Sequence, residues 1–193
     1  MYTGSIPIVE ALLTRDPQVI NMQFDRVGTP LIVACHSRQS FEFLKFLLEA
    51  GADPNQDPEC AAFPLVIVAA FYNDPAVIDL LVQHGARLEE SGALATAAGF
   101  GNEPMLRHLL DRGARLDPIH ASPLHAAIRA GHRGVKAGHV AVVRILLQHG
   151  VDPNAANSSG TTPIEFANQL RAQGKDMLNM MDVLMGEQDA VNK

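Results

Sequence analysis

The chain repeats itself with a fixed period. Gly28-Thr29-Pro30-Leu31 is followed by Leu47-Leu48-Glu49-Ala50-Gly51-Ala52-Asp53-Pro54-Asn55. Phe63-Pro64-Leu65 is followed by Leu80-Leu81-Val82-Gln83-His84-Gly85-Ala86, and Ser122-Pro123-Leu124-His125-Ala126-Ala127 by Leu146-Leu147-Gln148-His149-Gly150-Val151-Asp152-Pro153-Asn154. Pro30 and Pro64 stand 34 positions apart, as do Gly51 and Gly85. A period of roughly 20–50 residues marks an array of small units, each unable to bury its apolar face alone and therefore stacked on its neighbours. This constraint precedes any local assignment of structure.

The letters within a unit specify a helix, a tight turn and a second helix. Thr29 can cap the first helix, and Pro30 suits its first position, where a backbone N–H has no helical partner. Gly51 stands where a helix ends in a left-handed residue. Ala34, Ala69, Ala97, Ala98 and Ala127 are small enough to keep successive first helices close. The leucine pairs Leu47–Leu48, Leu80–Leu81, Leu109–Leu110 and Leu146–Leu147 recur at helical spacing and read as the apolar face of the second helix.

These segments resemble the ankyrin repeat, whose pattern runs T-P-L-H-x-A-A-x-x-G-H, then V-V-x-L-L-L-x-x-G-A-D-V-N. The resemblance extends from Ser5 to Met185. It implies an all-α solenoid of about six units with short β-hairpin fingers, at 1–23, 24–56, 57–90, 91–117, 118–154 and 155–186, with a disordered tail at 187–193. The first unit is a degenerate half, in which Ile8-Val9-Glu10-Ala11-Leu12-Leu13 matches a second helix. Unit four lacks T-P-L-H and carries Ser91-Gly92-Ala93 in its place. Gly85 to Gly113 is only 28 positions, a shortened finger, whereas Gly113 to Gly150 is 37. The excess falls where Gly-His occurs twice, at Gly131-His132 and Gly138-His139, so Arg133 to Ala137 is expected to bulge as a loop, and the fold is expected to survive deletion of Gly131 to Ala137. Terminal units of such arrays are expected to depart from the pattern.

Composition narrows the function. The chain of 193 residues carries a formal net charge of −6 and no basic cluster, which argues against nucleic acid as a partner. No apolar run approaches the roughly 20 residues of a membrane span, and the N-terminus lacks the pattern of a secretory leader. The two cysteines, Cys35 and Cys60, fit a reducing compartment, so a cytoplasmic or nuclear location is expected. No heptad or long edge strand drives assembly, and an elongated monomer is expected.

Catalytic, metal and cofactor sites are not expected. His120 and His125 are five apart, and His132 and His139 seven apart; neither is the i, i+4 pair of helical zinc sites. The resemblance implies that His125, His132 and His139 bond local backbone. His84 and His149 fall in the last turns of second helices, where a donor meets free carbonyls. Cys35 reads as a buried thiol, and no neighbouring base marks Cys60 as a nucleophile. Gly99-Phe100-Gly101 is a helix–helix turn and not a phosphate cradle. Met177, Met180, Met181 and Met185 read as core of the last helix rather than as an adaptable surface.

What remains is surface. Ankyrin arrays bind other proteins through the fingers and the concave face of the first helices. The resemblance places concave positions at His36, Ser37, Ala70, Phe71, Gly99, Phe100, Arg129 and Ala130, with Tyr72 directly after Phe71. Finger positions fall at Arg26, Val27, Glu59, Cys60 and His120. One continuous protein-binding surface is expected from Arg26, His36, Glu59, Phe71, Tyr72, Phe100, His120 and Arg129, since large aromatics and arginine anchor interfaces. The alternative for Phe71 and Phe100 is a place in the helix–helix contacts. The expected role is that of a scaffold or adaptor for an unidentified protein partner, the alternative that of a regulatory or inhibitory subunit of a partner enzyme.

Overall fold

A computed structural model describes residues 4–24, 27–56, 63–89, 91–114, 122–131 and 136–191, with the side chains of 136–138 and 187–191 excepted. It divides into two compact units, Met1–Ser91 and Gly92–Lys193. The first holds α1 (Ile6–Arg15), a 3-10 helix (Pro17–Asn21), α2 (Pro30–His36), α3 (Phe41–Glu49), α4 (Pro64–Phe71) and α5 (Ala76–Gln83). The second holds α6 (Ala93–Phe100), α7 (Glu103–Asp111), α8 (Pro123–Gly131), α9 (Lys136–Gln148), α10 (Pro163–Ala172) and α11 (Leu178–Val191).

Helices start where the pattern sets a cap. The Thr29 hydroxyl accepts from the Ile32 N–H at 3.4 Å, with Pro30 opening α2. Thr162 caps α10 reciprocally: its hydroxyl accepts from the Glu165 N–H at 3.3 Å, while its own N–H donates to the Glu165 carboxylate at 2.9 Å. Such a cap contributes about 1 kcal/mol. Those hydrogen bonds from Thr162 hold the Glu165 carboxyl below the usual glutamate range. Phe63 and Gly92 precede α4 and α6 and supply no side-chain cap, in keeping with the loss of threonine there. At the far end of α3, Gly51 turns with φ +96, which frees the Ala52 N–H to reach back to the Leu47 carbonyl at 3.0 Å.

Within the first unit α2 lies beside α4 and α3 beside α5. Within the second, α6, α8 and α10 form one row and α7, α9 and α11 the other. Ala34, Ala69, Ala97, Ala98 and Ala127 are all buried. The leucine pairs are buried as well, except Leu110, which is half-buried. Each buried leucine contributes about 1.5–3 kcal/mol. Met177, Met180 and Met181 pack inside, whereas Met185 is exposed.

Successive repeats are also joined by polar links. Asn21 donates to the Gly51 carbonyl (2.9 Å) and accepts from the Asp53 N–H (2.8 Å). Thirty-four positions on, Asn55 donates to the Gly85 carbonyl (2.7 Å) and accepts from the Arg87 N–H (2.9 Å). The histidines do the same in the second unit, and here the expectation of local bonds needs correction. His125 bonds the Thr161 carbonyl at 2.9 Å and His139 the Gly99 carbonyl at 3.0 Å, 36 and 40 positions away, so each ties one repeat to the next. His149 does bond locally, to the Ile145 carbonyl at 2.8 Å in the last turn of α9. His132 lies outside the described residues.

Three further expectations change. Lys136 and Ala137 belong to α9 and not to a loop, and Gly131 is a buried end of α8; residues 132–135 lie outside the described residues. Helix α11 runs on to Val191, past Glu187, where the pattern ends the last unit. Helix α1 forms as expected, but it buries no residue fully, and Ile8 and Leu12 are 63% and 50% exposed. An isolated antiparallel bridge pairs Phe24 with Gly28, where the Phe24 N–H donates to the Gly28 carbonyl at 3.1 Å.

Candidate interaction surface at the ends of the first helices

In the first unit the sequence between α2 and α3 makes an unusual turn. Helix α2 ends at the exposed His36, and Arg38 follows with φ +50. A side chain in left-handed backbone costs about 1–2 kcal/mol. The turn is closed by the Arg38 N–H on the Cys35 carbonyl (3.1 Å) and the Gln39 N–H on the Ala34 carbonyl (3.0 Å). The second unit makes the same turn after α6. There the Gly101 N–H meets the Ala98 carbonyl (3.2 Å) and the Asn102 N–H the Ala97 carbonyl (2.9 Å), with a glycine at φ +68 in the left-handed place. Arginine thus stands in the first unit where glycine would sit without strain.

The end of α4 closes on this turn. The Arg38 guanidinium lies 5.2 Å from the centroid of the half-buried Phe71 ring, within cation–π reach. The Tyr72 hydroxyl donates to the Gln39 carbonyl at 3.2 Å. Burial raises the Tyr72 phenol well above its ordinary value, the nearby Cys35 thiol adds to the rise, and Arg38 opposes it. Tyr72 therefore remains a protonated donor. Cys35 is wholly buried behind it, and burial pushes its thiol up to about 12, which leaves no thiolate to attack a substrate.

In the second unit Phe100 ends α6 and is 54% exposed. The helix end is held from α9. His139 bonds the Gly99 carbonyl, and its ring packs so closely on Gly101 that a Cβ there would come within 3.1 Å. On α8 the exposed Arg129 lies 5.7 Å from the Phe166 ring centroid, and the His125 ring packs 5.6 Å from the same ring. Burial lowers the affinity of His125 for a proton, and Arg129 adds to this, against the Thr161 and Thr162 backbone. Its Nδ1 is buried with no hydrogen-bond partner among the described residues, so the neutral ring with Nε2–H donating to Thr161 is the favoured form.

The expected site residues therefore fall into three sets. Phe71 and Tyr72 come together at the end of α4, beside the turn that follows His36. Phe100 ends α6 and Arg129 lies in the last turn of the neighbouring α8. Arg26, Glu59, Cys60 and His120 lie outside the described residues. Sequence reasoning missed Arg38, Gln39 and Phe166. Arg38 was signalled: it occupies the place of the glycine in A-A-x-x-G-H. Among the described residues no group of three or more His, Cys, Asp or Glu is placed to hold a metal ion, and no helix is long and apolar enough to cross a membrane.

Comparison with known proteins agrees with this geometry. Models of the ankyrin repeat match residues 28–57, 65–137 and 132–169. An ankyrin repeat protein of Pyrobaculum aerophilum is 36% identical over 77 residues, 40% of this chain and 27% of that one. The human ankyrin repeat and SOCS box protein 6 is 32% identical over 127 residues, 60% of this chain and 30% of the relative. The matches thus span less than a third of these relatives' lengths. The crystal structure of an ankyrin repeat domain from Acinetobacter baumannii superposes with a TM-score of 0.72 at 25% identity, over 95% of this chain and 92% of that one. With three matches in series and a shared solenoid fold, the chain belongs to the ankyrin-repeat family.

Proposed function

We propose that this protein is an adaptor that binds a partner protein through the ends of its first helices and the turns that follow them. Ankyrin repeats are generally protein–protein interaction modules, and the fold is typically non-catalytic. The observation that carries the reading is Phe100. The apolar residues Ala93, Leu94, Ala95, Ala97 and Ala98 of the same helix are buried, yet this ring, the largest of them, stays exposed at a helix end fixed by His139. A rigidly presented aromatic loses little freedom on binding and brings a large apolar area. The protein acts as a monomer, in a reducing compartment such as the cytoplasm or nucleus.

A photo-crosslinking amino acid at position 100 tests this. One predominant protein adduct is expected, absent when the probe is moved to Glu42 on α3. Phe100→Ala should weaken binding of that partner about tenfold or more, as loss of an anchor does, while leaving the thermal midpoint nearly unchanged. Normal binding by the folded variant would place the binding face elsewhere. An equimolar complex in which a partner enzyme loses activity would identify a regulatory subunit instead of a passive adaptor.

A further inference from the structure

We propose that the turn formed by Arg38, seated on Phe71 and braced by Tyr72, reads a carboxylate of an acidic segment in the partner. This rests on the protein-binding role above and names the chemistry of one of its contacts. Three observations meet here. The backbone at Arg38 is left-handed, φ +50, in a turn that the same chain builds with glycine at 101, so the side chain is kept in spite of its backbone. The guanidinium lies 5.2 Å from the Phe71 ring centroid and the residue is exposed. Among the described residues it pairs with no carboxylate; the ion pairs seen, Lys45–Glu49 and Arg107–Glu103, lie within α3 and α7. A guanidinium lying on a ring keeps its N–H edge for a planar two-oxygen acceptor.

The attraction is local: the protein carries a net charge of −6, which repels an acidic segment at long range, so such a segment is held only at a fixed cation such as Arg38. The device recurs independently in the second unit, where Arg129 lies 5.7 Å from the Phe166 ring centroid, also exposed and without a carboxylate partner among the described residues.

The test is a nuclear magnetic resonance titration of the full chain with a hexaglutamate peptide at low salt, with hexalysine as control. The expected result is a saturable shift of the Arg38 Nε–H signal with hexaglutamate only. Arg38→Gly should weaken binding roughly tenfold, as loss of one partner of a charge pair does, with a thermal midpoint unchanged or raised because the strain is gone. Arg38→Lys, which keeps charge without the fork, should fall between. Arg38→Asn tolerates the left-handed turn and guards against a folding artefact. A lowered midpoint with unchanged peptide binding would show that Arg38 only staples α2 to α4. No shift at Arg38 would also overturn the proposal, and would leave the crosslinking result at position 100 free to stand.

Discussion

A single residue can carry the pH dependence of this fold. His125 joins α8 to the turn before α10, and burial holds it neutral in the native state. Its native affinity for a proton is lowered from an ordinary value of 6.5. Between those two values the unfolded chain binds more protons than the native one, so stability rises with pH through that window. The contribution of neutral His125 is complete above 6.5 and is lost as pH falls through the lowered native value. His125→Gln retains a donor for the Thr161 carbonyl but does not titrate. Urea midpoints of the two proteins at about pH 7.5 and about pH 5.5 should therefore differ in their change: wild type should lose more on acidification than the variant. An equal loss would assign the acid sensitivity to other groups. The sequence showed His125 as a member of T-P-L-H with a backbone bond. It did not show that the partner lies 36 positions away, because periodicity gives the unit and not the reach of a side chain across to the next one.

At the scale of the element, the links between repeats are as informative as the helices. Asn21 and Asn55 each bridge a glycine carbonyl and an N–H two residues beyond it in the following repeat. Asn55→Ala removes two hydrogen bonds at once, and a loss of about 1–3 kcal/mol is expected. Asn55→Asp keeps the acceptor for the Arg87 N–H and loses the donor to the Gly85 carbonyl, so its urea midpoint should fall between wild type and Asn55→Ala. The junction of α8 with α9 and α11 offers a second check. A Cβ at Gly131 would come within 2.9 Å of the Met180 Cε and 3.3 Å of the His139 Cβ. Gly131→Ala should then cost less than about 1 kcal/mol, because the flexible end of Met180 can move aside, and deletion of residues 131–137 should unfold the second unit. That last expectation reverses the sequence reading. The doubled Gly-His pointed to a loop reaching Ala137, but α9 already begins at Lys136, and no local pattern marks that start. The leucine rows, alanine positions and caps at Thr29 and Thr162 were legible because each follows from a local rule. Phe100 and Phe71 were not separable by sequence: both hold the same repeat position, yet one ring is exposed and the other, half-buried, lies under Arg38.

For the molecule as a whole, stability is set by neighbours. A repeat array has no central core, so damage in one repeat should spread along the contacts it makes and fade with distance. Leu146 is fully buried in α9, which packs against α7 and α11 as well as α8. Leu146→Ala should cost about 2–5 kcal/mol, the range for a buried leucine truncated to alanine. Amide hydrogen exchange can follow where that loss goes. Protection should drop most in α8 and α9, less in α7, α10 and α11, and least in α2 and α3, which belong to the other compact unit. The loss of protection, converted to free energy, should match the urea value only in the damaged repeat and its neighbours. A uniform drop across all helices would mean that the chain unfolds as a single cooperative body and that the nearest-neighbour description fails for this array.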